Sequence, residues 1–207
     1  MEDLLDLYER PYDPKHPVIC YDERPCQLID DVIVPVPMKP GKPQKRDYEY
    51  RRNGTCSILI AFEPLTGKRV VQVSKHRTKA DYARFMKRLA LQYPEAEPIE
   101  LVQDNLNTHT PGSFYRVFPP QEAFELAKKF NCHFTPIKGS WLNMVEIELS
   151  ALSRQCLDRR IGNIGKMAYE VSVWERERNR IKATVRWQFT KEDARDKFHR
   201  HYLNIQN

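Results

Sequence analysis

Three carboxylates set the chemistry this chain could perform. Asp22 follows the apolar run Val18-Ile19-Cys20-Tyr21, and Asp104 follows Ile99-Glu100-Leu101-Val102-Gln103. Glu146 stands in a pattern where Leu142, Val145, Leu149 and Leu152 recur on one helical face, with Asn143, Glu146 and Ser150 as a polar strip beside it. Glu146 is therefore expected at the border of core and solvent, and Glu148 on the other flank. Neighbouring strands lie about 4.8 Å apart, so aspartates at the ends of two adjacent strands are neighbours. A glutamate from a helix packed over those ends completes an open, all-oxygen site. Such donors suit Mg²⁺ or Mn²⁺. Two ions about 3.5–4 Å apart can activate an attacking oxygen on one side of a phosphodiester and stabilise the leaving oxygen on the other.

The elements that must position these acids follow from pattern and punctuation. Residues 1–17 contain Pro11, Pro14 and Pro17 and read as a leader or linker with at most one helical turn over Asp3 to Tyr8. A strand over Val18 to Glu23 is expected to stop at Arg24-Pro25, with a second strand over Gln27 to Val36. A hairpin follows, Thr55 to Phe62 and Arg69 to Ser74, turning at Pro64-Leu65-Thr66-Gly67. Thr78 caps a helix over Lys79 to Tyr93, Ile99 to Asp104 is a strand, Pro120 to Phe130 a helix, and His133 to Ile137 a strand. Gly139-Ser140 turns into the helix of Glu146. Beyond it a basic segment spans Arg154 to Arg160, and a turn at Gly162 to Gly165 leads to an amphipathic helix over Lys166 to Lys182. Thr184 to Phe189, with Val185, Trp187 and Phe189 alternating, is a short extended piece or an anchor, and Thr190 with Asp193 opens a last helix to about Leu203.

Composition narrows the partners. The 207 residues carry a formal net charge of +6, with a pI near 9.0, which fits a polyanionic partner. The basic, Pro-rich stretch from residue 37 to 52 offers Lys39, Lys42, Lys45, Arg46, Arg51 and Arg52 among tyrosines. It is either a solvated hairpin tip or a clamp laying cations on DNA phosphates. Five scattered cysteines form no Cys-x-x-Cys pair and read as reduced thiols in or near the core. No run of 18 apolar residues could span a bilayer, and the opening residues form no signal peptide, so the expected compartment is the cytoplasm.

Three segments carry a family likeness. Cys20-Tyr21-Asp22-Glu23, Val102-Gln103-Asp104-Asn105-Leu106-Asn107-Thr108-His109 and Gly139-Ser140-Trp141-Leu142-Asn143-Met144-Val145-Glu146 closely resemble the three acidic motifs of bacterial insertion-sequence transposases of the mariner-related (IS-six-thirty) DDE group. The likeness covers roughly residues 17 to 204, and Trp-Leu-Asn before the glutamate is its most specific part. It implies an α/β, RNase H-like (retroviral-integrase-like) fold, a mixed five-stranded sheet flanked by helices with a helical C-terminal tail. It assigns Asp22, Asp104 and Glu146 as catalytic metal ligands for a pair of Mg²⁺ or Mn²⁺ ions.

The implied activity is metal-dependent DNA strand cleavage and strand transfer. The implied partners are transposon ends and target DNA, with a homodimer on DNA as one assembly and the nucleoid as the working location. The expected division is 1–17 leader, 18–160 catalytic domain with the basic loop at 37–52, and 161–207 a helical extension packed on it. His109 is a secondary candidate, touching a phosphate or orienting a metal-bound water, or else capping a helix. Asn105 and Asn143 are secondary too, Asn143 bonding the carboxylate or the DNA, or serving only as a polar helix start. The acids lie 82 and 42 positions apart, the second interval longer than is familiar in that group, with a helix over Pro119 to Phe130 as the excess. Full-length relatives begin with helix-turn-helix segments and nothing similar precedes Pro11, so a separate helix-turn-helix polypeptide is an expected partner. The alternative readings are an inactive remnant or accessory DNA-binding fragment, and a nuclease acting on RNA–DNA hybrids.

Overall fold

The structure is a computed structural model that describes residues 1–200. Helix α1 (Glu2–Glu9) comes first, followed by the long strands β1 (Val18–Asp31) and β2 (Tyr50–Glu63) and the shorter β3 (Lys68–Ser74). Helix α2 (Lys79–Ala90) crosses to β4 (Ile99–Gln103), and α3 (Pro120–Lys128) crosses to β5 (Phe130–Phe134). Helices α4 (Val145–Gln155), α5 (Ile164–Arg180) and α6 (Lys191–Lys197) complete the order. The sheet runs β3-β2-β1-β4-β5. Its first three strands are antiparallel and its last two parallel to β1, the mixed five-stranded sheet expected.

Strand alternation divides the core. Cys20 with Val102 packs under α1, α4 and α5, whereas Ile19, Tyr21 and Leu101 pack under α2 and α3. Thr78 and Asp81 close a capping box on α2, and Thr190 and Asp193 close one on α6. The expected end of that last helix near Leu203 lies outside the described residues. All five cysteines are free, and no helix among the described residues is long and apolar enough to cross a membrane.

Several elements differ from expectation. Arg24-Pro25 does not break β1, which runs on to Asp31 as one strand. β4 pairs with β1 only at Val18, Ile19 and Cys20, so Pro25, opposite Ser57 of β2, has an open edge on its other side where a missing N–H is tolerated. The strand expected to reach Val36 ends at Asp31 because residues 32–49 leave the sheet as an arm, pinned by bridges Val36↔Lys45 and Lys39↔Lys42. Residues 2–9 form a helix of eight residues rather than one turn, burying Leu4, Leu5 and Leu7. β5 starts at Phe130, paired with Ile99, and ends before Pro136; Ile137, expected within the strand, is 96% exposed. Thr184 to Phe189, by contrast, is the expected anchor, laying Val185, Trp187 and Phe189 against the core with the Val185 N–H donating to the Pro64 carbonyl.

Candidate active site

The site lies where β1 and β4 part company. Their pairing stops at Cys20 and Val102, so Asp22, two residues on, borders an opening and sits inside β1 rather than at its exit. Asp104 is the first residue past β4, and Glu146 lies in the first turn of α4, which packs on the same sheet face as Cys20 and Val102. Asp22 senses both other acids. Burial raises its carboxyl to about 6, a Glu23 backbone N–H bond at 2.7 Å opposes the rise, and the charges of Asp104 and Glu146 add to it. Neither Asp22 nor Glu146 has an ion-pair partner among the described residues. As they stand, no three His, Cys, Asp or Glu among the described residues converge closely enough to hold a metal ion. The donor chemistry nevertheless fits a hard divalent cation: three carboxylates, two of them without ion-pair partners among the described residues.

Asn143 holds α4 to β1. It is buried, and its Nδ2 donates to the Tyr21 carbonyl at 2.9 Å, beside Asp22, while its Oδ1 accepts from the Val145 N–H at 3.3 Å. Of the two sequence readings this is the polar helix start, with both side-chain bonds made to backbone and none to the Glu146 carboxylate. Tyr8 of α1 adds a tie from the other side, its hydroxyl donating to the Leu142 carbonyl at 2.7 Å. Trp141 packs against Trp187 and Phe189. Asn105 is exposed.

His109 is neither a surface phosphate contact nor a helix cap. It is fully buried, stacked on Tyr82, with Nδ1 2.5 Å from Asp104 Oδ1 and Nε2 3.3 Å from Glu23 Oε1. Burial works against its protonation, but the contacts to Asp104 and Glu23 outweigh it and lift the imidazole to about 9. Gln103 fixes the loop between, accepting from the Tyr82 hydroxyl at 2.9 Å and donating to the His109 carbonyl at 3.2 Å.

Glu148 takes no part in the acid group. Its carboxylate is wholly buried between Arg69 Nε and Arg178 Nη2, each at 2.6 Å. Burial pushes its carboxyl up, yet the two guanidiniums hold it below the ordinary range. The rest of Arg69 bonds the carbonyls of Gly67 and Ala183, and Asn179 bonds its backbone on both sides. At Gly67, φ is +72° and a Cβ would lie 2.7 Å from the Lys182 backbone, so only glycine fits.

The family model for DDE superfamily endonucleases matches residues 17–168, and its span includes all three acids. The chain belongs to that family. No curated protein matches it. Among solved structures, the Mos1 transposase paired-end complex with left transposon end is similar, with a TM-score of 0.57 and 16% identity over 84% of this chain and 52% of that one. The present chain thus spans about half the length of that relative. The HTLV-2 integrase catalytic core domain in complex with magnesium gives a TM-score of 0.41 at 9% identity, over 82% of this chain and 86% of that one. The fold is RNase H-like, as the motifs implied.

Around the acids, this DDE endonuclease chain distributes its cations unevenly. Lys39, Lys42 and Lys45 are exposed on the arm, whereas Arg46 pairs with Asp31 at 3.5 Å. Arg51 and Arg52 lie in β2, not in a loop, Arg51 pairing with Asp30 at 3.6 Å and Arg52 donating to the Tyr50 hydroxyl. Arg160 anchors the arm through Asp31 and the carbonyls of Asp47, Tyr48 and Glu49. Two residues near the site are not signalled as such by the sequence. Arg24, on the Asp22 face, reaches Ser153 of α4. Glu23 reads as a strand end, although the alternation Ile19, Tyr21, Glu23 points it into the α2 side.

Proposed function

We propose that this chain is the catalytic domain of a DNA transposase, cutting DNA strands and joining them by phosphoryl transfer. Asp22, Asp104 and Glu146 would hold two divalent ions, Mg²⁺ or Mn²⁺. The observation that carries the reading is that Asp22, Asp104 and Glu146 lie close enough to sense one another, Asp22 and Glu146 without ion-pair partners among the described residues, and Asp22 raised first by burial and further by the charges of the other two. When bound, the ions would polarise the phosphodiester and activate the attacking oxygen. The chain's own residues do the rest. Asn143 sets the height of α4 over β1, His109 holds one oxygen of Asp104 from behind, and Lys39, Lys42 and Lys45 supply phosphate contacts in cis or in trans.

DNA is the proposed partner, as transposon end and as target, and a chain so engaged works at the nucleoid. A second copy is a further partner, supported by the exposed apolar side chains of the arm, where Val34 is 86% and Met38 74% exposed. Sequence recognition is assigned to a helix-turn-helix module, in this protein or on another polypeptide, because lysines on phosphates carry little sequence information. The rival reading, a remnant or accessory fragment that binds DNA without cutting it, draws on the same acids standing apart. One assay separates the two: labelled duplex with Mn²⁺, in which nicking is expected from the native chain and not from Asp104→Ala. Equal nicking by both, or by neither, refutes the assignment.

A further inference from the structure

Asp22 and Glu23 are adjacent on β1 and face opposite sides of the sheet, Asp22 toward α4 and Glu23 toward α2. A carboxylate on the α2 side would ordinarily be a liability, since Ile19 and Tyr21 precede it in a hydrophobic layer. The Glu23 side chain is only 2% exposed. Its Oε2 accepts from the Tyr21 hydroxyl at 3.2 Å, while Oε1 lies 3.4 Å from Arg77 Nε and 3.3 Å from His109 Nε2. The other nitrogen of that imidazole lies 2.5 Å from Asp104 Oδ1. Glu23, His109 and Asp104 thus form a line from the buried side of the sheet to the acid group.

We propose that Glu23 is a positioning residue for Asp104, acting through His109. Its geometry stands by itself, and its consequence for chemistry rests on the metal-site reading above. The imidazole has little freedom to answer to anything else. Tyr82 stacks on it at 4.9 Å and 27°, and Tyr21 meets it edge-on at 5.2 Å and 75°. Within that slot the place of the ring is set by what each nitrogen meets. Glu23 closes one end. Contact with Nε2 is in reach but off the hydrogen-bond line, so a small tilt decides how firmly Nδ1 grips Asp104. With Oδ1 engaged by His109, the Asp104 carboxylate is tied to the loop behind it, and its rotation follows the ring. Arg77 alone does not account for Glu23, because it is 47% exposed and reaches the same oxygen that faces His109.

The test uses full-length protein with ¹⁵N-labelled histidine, first metal-free and then titrated with Mn²⁺ followed by electron paramagnetic resonance. A downfield His109 Nδ1–H signal is expected in the native chain, lost in Asp104→Asn and displaced in Glu23→Ala. Mn²⁺ affinity should fall about 10- to 100-fold in Glu23→Ala, the range typical for residues that orient metal ligands. Glu23→Gln, which keeps an acceptor in place, should recover most of it. An unmoved His109 signal in Glu23→Ala overturns the proposal, as does a moved signal with Mn²⁺ affinity within about twofold of native. If Glu23→Ala does not fold, Glu23→Asp decides, since a retracted carboxylate must displace the same signal and weaken Mn²⁺ binding. Failure of the native chain to bind Mn²⁺ would sink the nuclease reading, while the His109 signal would still judge the role of Glu23.

Discussion

Glu146 and Glu148 stand two residues apart on one helix and live in opposite electrostatic worlds. Glu148 is sealed between two guanidiniums that neutralise it twice over. Glu146 is half-buried and has no cation beside it among the described residues, while two aspartates face it across the opening. One is compensated within the fold by two guanidiniums, and the other has no ion-pair partner among the described residues. The contrast separates an acid used to build the protein from one that, on the proposed function, is kept for chemistry.

The strongest way to break this contrast is to remove each acid in turn. Glu148→Ala should destabilise the protein by about 3–5 kcal/mol, because the buried Arg69 guanidinium and the half-buried Arg178 lose their counter-ion, whereas Glu146→Ala should stay within about 0.5 kcal/mol and abolish nicking. Urea unfolding in chelator measures the first, and the nicking assay the second. The pH dependence carries the same sign. A carboxyl held low in the folded state contributes stability above its unfolded value of about 4.3, and that stability is lost as pH falls through the depressed folded value. The acid limb of an unfolding curve should therefore flatten in Glu148→Gln.

Smaller effects sharpen the picture. Asn143→Ala leaves the buried Tyr21 carbonyl without its donor and should cost about 1–3 kcal/mol, with a larger loss of nicking than of DNA binding. Equal losses would return Asn143 to plain structure. Asp22→Asn reverses the sign: removing one of three repelling charges should raise Tm in chelator by about 2–4 °C, roughly 1 kcal/mol, and eliminate cleavage. A lowered Tm would mean the three acids do not repel. Replacing Lys39, Lys42 and Lys45 together by Ala should leave stability within about 0.5 kcal/mol, while the slope of log affinity against log salt becomes shallower by about 0.9 for each phosphate no longer neutralised. An unchanged slope would leave the arm a solvated tip.

Periodicity makes much of this legible. The alternation ending in Asp22 and Asp104 points to two parallel neighbours, and the Leu142, Val145, Leu149, Leu152 face tells which way α4 turns and hence that Glu146 and Glu148 diverge. What stays hidden depends on neighbours distant in the chain. Pro25 reads as a stop unless one knows that β4 has already left that edge. The three prolines after Arg10 disguise α1, whose leucines matter only because the sheet lies beneath them. Phe130 suits the end of a helix as well as the start of a strand, and only its partner Ile99 chooses. Arg69 and Glu148 look like surface charges until they meet. His109 stands out in the sequence, but its partner Glu23 is masked by standing next to the more conspicuous Asp22.

The anchor of α4 also carries a timetable. Arg69 meets Glu148 after an interval of 79 positions, and it reaches Arg178, Asn179 and Ala183 only after 109, 110 and 114. A chain emerging from the ribosome therefore completes its hairpin of β2 and β3 long before the groups that neutralise Arg69 exist. Until residue 183 is free, a guanidinium destined for the interior must stay hydrated, and α4 lacks the grip that sets its rotation. Such distant closures slow folding. All three acids are thus synthesised well before the chain can fix their arrangement, and a nascent chain of this kind acquires its chemistry only at the end.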